Sequence, residues 1–111
     1  MAVLTVQNIS RAGLDVTAAL AAADSEGDSW GNTGTEYLAV NNGSGSSITV
    51  TLAYQKQFDG ASATNRTVAV AAGRLALIGP FPQHLYNASN QRASVTYSSV
   101  TSVTVAAVRM G

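Results

Sequence analysis

Cysteine is absent from these 111 residues. That removes disulfide frameworks, thiolate metal sites and thiol nucleophiles together, and leaves the redox compartment open. Charge is scarce as well: 11% of the residues are Asp, Glu, Lys or Arg, against roughly 25% in an ordinary soluble domain. Six cations balance six carboxylates. No basic stripe is available to neutralise phosphates, so nucleic-acid binding is not expected. Ser, Thr, Asn and Gln must cover most of the surface, and a surface so weakly charged resists self-association poorly. The opening residues have no positive n-region and no long apolar core, so we expect no signal peptide. The uncharged stretch 93–108 carries Ser and Thr at alternate positions and reads as strands, not as a membrane span.

What is present is a pattern of short alternations. Apolar residues make up 46% of the chain, enough for one core at this length and not for two. The clearest stretch is 36–54. Leu38 and Val40 alternate with Tyr37 and Ala39, then Ile48, Val50 and Leu52 alternate with Thr49 and Thr51. A period of two is that of a half-buried strand. The polar Asn41–Ser47 stretch between them, rich in Gly and Ser, predicts a β-hairpin forming the central pair of a sheet. Further strands are expected over 66–71, 74–78, 93–97 and 102–108, with turns at Asp59-Gly60 and Gly73 and a break at Gly79-Pro80-Phe81-Pro82. Residues 15–23 suit a helix by their alanines but also alternate, and we expect an extended strand there. The fold class predicted is all-β: an antiparallel β-sandwich or flattened small barrel of about seven to eight short strands. Its core should hold Leu38, Val40, Ile48, Val50, Leu52, Val68, Val70, Val95, Val103 and Val105.

Residues 1–13 form an N-terminal strand or arm in this reading, and 14–111 a single β-sandwich domain. Val3, Leu4 and Val6 are too apolar to stay in water, since burial of such side chains gains about 1.5–3 kcal/mol each. They either complete the domain's own sheet edge or pair with a neighbouring chain, and the intermolecular option is the one favoured.

Chemistry is thinly represented. Asp24, Glu26 and Asp28 place three carboxylates close together, a Ca²⁺-like composition. Gly27 precedes the third acid and no Glu follows at EF-hand distance, so a solvated surface loop is expected and no metal or other cofactor. His84 is the single histidine, in a turn, without a G-x-S-x-G elbow or a second imidazole for zinc. We therefore expect no enzymatic activity. The glycines of Gly43-Ser44-Gly45 precede a Thr-rich strand and no lysine, which argues against a phosphate cradle. Trp30, Phe81 and Tyr86 are either packed rings or contact residues. With Val3, Leu4 and Val6 they make up the candidate interface.

Four phrases, in order, resemble a known group. They are Gly27-Asp28-Ser29-Trp30-Gly31-Asn32 leading into Leu38-Ala39-Val40-Asn41-Asn42; Arg66-Thr67-Val68-Ala69-Val70-Ala71-Ala72-Gly73; Ile78-Gly79-Pro80-Phe81-Pro82 with Tyr86-Asn87; and the Val/Thr/Ser close from Val95 to Val108. Together, over residues 14–109, the chain resembles the small β-rich decoration, or cement, proteins encoded among the head genes of tailed bacteriophages. The resemblance implies a non-enzymatic virion protein on the outer surface of an icosahedral capsid. It would stabilise the shell by binding between major capsid protein subunits, as a homo-oligomer, trimer or dimer, with no nucleic-acid or membrane partner. The competing reading is a carbohydrate- or host-surface-binding β-sandwich of a phage tail, using Trp30, Tyr37, Tyr54 or Tyr86 as stacking platforms.

Overall fold

Two five-stranded sheets face each other across one apolar core in a computed structural model that describes residues 2–55, 57–58, 61–62, 65–88 and 90–110. In chain order the elements are β1 Ala2–Val3, β2 Val6–Ile9, α1 Val16–Ala19, β3 Ala21–Ala22, β4 Asp28–Gly31, β5 Glu36–Asn42 and β6 Ile48–Leu52. After these come β7 Gln57–Phe58, β8 Ala61–Ser62, β9 Arg66–Val70, β10 Leu75–Ile78, α2 Gln83–Tyr86, β11 Arg92–Tyr97 and β12 Val103–Met110. One sheet runs β1-β4-β11-β6-β9. The other runs β10-β5-β12-β2, with β3 also on β12, and β7 and β8 form a separate ribbon. The body is 20 Å through its shortest axis, which is two sheets about 10 Å apart with their outer side chains. The sandwich expected from the alternation is therefore the fold. Its sheets are mixed, because β1 runs parallel to β4 and β2 parallel to β12. Four of the strands have two residues each, and those of four or more number eight among the described residues. No helix among the described residues is long and apolar enough to cross a membrane.

The hairpin read into 36–54 is not there. β5 pairs with β10 and β12, while β6 pairs with β11 and β9, in the opposite sheet. Alternation reports which side chains face inward. It does not report which strand lies alongside, and in a sandwich both inner faces obey the same period. The segment from Gly43 to Ser47 is an arch between sheets. Asn42, fully buried at its start, donates through Nδ2 to Ser46 O at 2.8 Å and Val70 O at 3.0 Å. Its Oδ1 accepts from Ser44 N at 3.1 Å and Ser44 Oγ at 2.6 Å. Gly43 follows because a Cβ there would stand 2.9 Å from Ser102 O.

Nine of the ten expected core residues are buried, and the tenth, Val68, is half-buried on β9 at the rim of its sheet. Cross-strand pairs bring them together: Val40 lies beside Val105, Leu38 beside Ala107, Leu52 beside Val95 and Val50 beside Val68. Trp30, Ile78, Phe81, Tyr86, Ala93 and Ala107 complete the cluster.

Residues 15–23 are not the expected strand. Asp15 accepts from Ala18 N at 3.2 Å and caps a single turn of helix, α1, which the alanines favour. Within 15–23 only Ala21–Ala22 pairs as a strand, against β12. The turn signal at Asp59-Gly60 lies outside the described residues.

The N-terminal segment belongs to the chain's own sheets, which corrects the favoured intermolecular reading. Ala2 and Val3 sit beside Asp28 and Ser29, Leu4 N donates to Ser29 O at 2.7 Å, and Val6 through Ile9 then pair with the end of β12. Without this segment the edges of β4 and β12 would leave N–H and C=O groups unpaired. It crosses from one sheet to the other and stitches that side of the sandwich. Deleting residues 1–7 is expected to lower the melting temperature of the isolated chain by at least about 10 °C, as the β1 ladder, half of the β2 ladder and the half-buried Leu4 and Val6 are lost. Differential scanning calorimetry measures this directly.

Glu36, also fully buried, begins β5. Its carboxylate accepts from Thr33 N at 2.6 Å, has the Thr33 hydroxyl 2.8 Å from Oε2, and is paired with the Arg109 guanidinium. Burial pushes this carboxyl up, but the Thr33 N–H, the Arg109 guanidinium and the Thr33 hydroxyl together outweigh it and hold Glu36 below the ordinary carboxylate value of 4.5. A carboxyl depressed on folding stabilises the protein above its unfolded pKa and stops doing so as pH falls through the lower folded value. Stability is therefore expected to decline below about pH 4.5. The Glu36→Gln variant should lose about 2–4 kcal/mol at pH 7 and show a shallower acid limb, as measured by urea denaturation from pH 3 to 7.

Candidate interaction surface

The two sides of the sandwich are closed differently. On one side the N-terminal segment spans the gap. On the other, β9 and β10 are likewise consecutive, and like β1 and β2 each ends its own sheet with a single neighbour among the described residues; the difference is the apolar space left between them. Between them opens a groove of about 480 Å³. Phe81 and Tyr86 form its floor, Val68 and Ile78 its walls, and Arg66, Leu77, Pro80 and Leu85 its lip.

Packing explains the floor. Phe81 lies 5.5 Å from Trp30 in a tilted arrangement and 5.4 Å from Tyr86 edge-on, and Tyr54 meets Tyr86 at 5.4 Å. Edge-on and offset rings at these spacings are the favourable geometry for their quadrupoles. Arg66 Nε donates to Tyr86 Oη at 3.1 Å and tethers the lip to the floor. Above it, β10 alternates: Ile78 is buried and Ala76 packs on the core, so Leu75 and Leu77 point away. They are 54% and 67% exposed, the two leucines that the fold leaves in water.

The sequence-derived interface residues scatter. Trp30, Phe81 and Tyr86 are buried, so in this chain they support the surface and do not present it. Leu4 and Val6 are half-buried against the core, and Val3 alone of the six is well exposed, at 57%. Leu75 and Leu77 were missed. The signal was available, because Leu75-Ala76-Leu77-Ile78 is apolar on both faces, and a two-layer sandwich buries only one face of a strand.

A second groove, about 490 Å³, is polar and holds His84, which is exposed, with Thr33, Gln83, Asn87 and Gln91. Its amides are turned on Asn32: Asn87 Nδ2 donates to Asn32 O at 2.9 Å, Gln83 Nε2 to the same oxygen at 3.3 Å, and Asn32 Nδ2 to Asn87 Oδ1 at 2.7 Å. These bonds fix α2 and its flanks. No Trp, Tyr or Phe is among the residues lining this groove. Tyr37 and Tyr54 are half-buried, and Tyr54 meets Tyr86 edge-on.

The acidic stretch is also not the solvated loop expected. Glu26 is exposed, but Asp28 is fully buried on β4 and accepts from Tyr97 Oη at 2.7 Å and Asp24 N at 3.3 Å. Burial, and the Asp28 carboxylate beside it, push the Tyr97 phenol well above its ordinary range. Gly27 makes the approach possible, since with φ +100° a Cβ there would lie 2.5 Å from Val95 O. Among the described residues no group of three or more His, Asp or Glu is placed to hold a metal ion.

Support and presentation separate by mutation. Phe81→Ala should cost about 3–5 kcal/mol of folding stability through the cavity it leaves. Leu77→Lys should stay within about 0.5 kcal/mol, because nothing packs on it. Denaturant midpoints of the two variants check this. Compared with known proteins, the chain matches no family model, no curated protein and no solved structure.

Proposed function

We propose that this chain is a non-enzymatic virion protein that decorates an icosahedral bacteriophage capsid, binding on the outer surface between major capsid protein subunits and stiffening the shell. The observation that carries the reading is the β9/β10 side, which joins two edge strands, an apolar groove and two exposed leucines. A protein that catalyses needs convergent polar groups, whereas one that assembles needs edges and apolar surface. The resemblance of the Ile78-to-Pro82 turn and the Val95-to-Val108 close to cement proteins supplies the capsid as the assembly. Individual contacts of this size are modest, and a lattice multiplies them through symmetry and avidity.

The carbohydrate-binding reading is less well supported, because Trp30 and Tyr86, two of its four stacking platforms, are buried. Co-sedimentation with expanded capsids tests the proposal. The wild-type chain is expected to saturate at a fixed ratio to the major capsid protein. A Leu75→Lys/Leu77→Lys double variant with unchanged melting should bind at least about tenfold more weakly. A chain that fails to pellet with shells but is retained on a glycan array would overturn it.

A further inference from the structure

We propose that the free edge of β10 is a self-association site at which a second copy of this chain adds its own β10, antiparallel, across a two-fold axis. The backbone sets the register. Asn42 N donates to Arg74 O at 2.9 Å, and residues 75–78 lie opposite 41–38. In an antiparallel ladder the residues bonded to one neighbour alternate. Ala76 and Ile78 therefore turn their N–H and C=O groups to β5, and Leu75 and Leu77 turn theirs to the open edge.

Two copies related by a two-fold axis at Ala76 place Leu75 of each opposite Leu77 of the other. All four edge groups of each strand then find partners, and the ladder ends at Gly79-Pro80, where proline has no N–H to give. The side chains agree with the backbone. Leu75 and Leu77 project from the same face, so the pairing gathers four leucines into one cluster on the outer side of a continuous sheet. Charge agrees as well. Arg74 would lie opposite Ile78 of the second copy, which sets the two guanidinium-bearing positions about 13 Å apart along the strands, beyond the screening length of about 8 Å. A parallel, in-register pairing would instead stack Arg74 on Arg74. Edge strands are normally guarded by an internal charge, proline or bulge. β10, Leu-Ala-Leu-Ile, has no charge and no proline within it.

Identical strands paired antiparallel are isologous, so the product is a closed dimer and not a chain of molecules. The inference concerns the same open side as the capsid reading but is tested without capsids. Analytical ultracentrifugation from about 1 μM to 1 mM should show the 11.3 kDa monomer giving way to a species of twice that mass. The Leu75→Lys/Leu77→Lys variant should remain monomeric over the range and melt, at any concentration, where the wild type melts at the dilute, monomeric end. Mixing it with a Leu75→Glu/Leu77→Glu variant should restore the dimer, because the register sets each Lys against a Glu.

Ala76→Cys, in a chain with no other thiol, reports the register itself. Ala76 faces its own copy at a spacing of about 4.5 Å, within disulfide reach, and should cross-link on mild oxidation. Thr101→Cys, an exposed turn position, should not. A chain monomeric at 1 mM, or a dimer that survives the double Lys change, overturns the pairing. A monomer that still pellets with capsids overturns the pairing alone, and a dimer that does not pellet overturns only the capsid reading.

Discussion

At the point where the chain leaves one sheet for the other, the carboxamide of Asn42 is fully buried and has four partners. Two donors and two acceptor sites are the whole capacity of an amide, so nothing is left to satisfy. The bonds reach the arch itself and the last carbonyl of β9. Its backbone does as much in the other direction, since Asn42 N reaches Arg74 O and Asn42 O accepts from Gly73 N at 2.7 Å. One residue thus fixes the end of β5, the arch into β6, and the turn from β9 to β10. Apolar burial would hold two sheets together at many relative offsets, because it has no direction. A buried amide with fixed geometry selects one offset, and a lost partner would leave an unsatisfied polar group in the core.

That selection explains what the open side looks like. β9 and β10 end up facing each other across a groove because Asn42 binds the residues at both of their joined ends. The aromatic floor follows from the same geometry. Trp30, Phe81 and Tyr86 arrive from three separate segments and fill the space beneath the edges. The surface is shaped by residues that never reach it.

The inward face of each strand was legible from the sequence, and the neighbours of each strand were not. Val40 and Val50 declare their burial by alternation, yet nothing local says that they belong to opposite sheets. The buried amide that decides it reads, in sequence, as one more turn-forming asparagine. Residues 15–23 misled for a related reason, since Asp15 caps a helical turn that the alternation of Val16, Ala18 and Leu20 conceals. At the surface, the attention that aromatic residues attract pointed to Trp30, Phe81 and Tyr86, all core, and away from two leucines whose exposure follows from their strand lying at an edge. Whether a side chain that can bury well does so depends on the layer above it, and that layer is a property of topology.

The parallel pairing of β2 with β12 sets Val6 beside Ala107, so early and late parts of the chain share a ladder. On a ribosome, β2 has no partner among the described residues until residue 107 has emerged, and its edges stay unpaired meanwhile. Loop closure over such a separation is entropically costly before it gains any contact, and topologies of this kind fold slowly. Until β12 docks, the half-made sandwich would lack both the ladder to β2 and the one to β5, leaving more unpaired edge than the finished fold has. Yield during synthesis is then governed by how fast the last strand docks, and not by how stable the finished sandwich is.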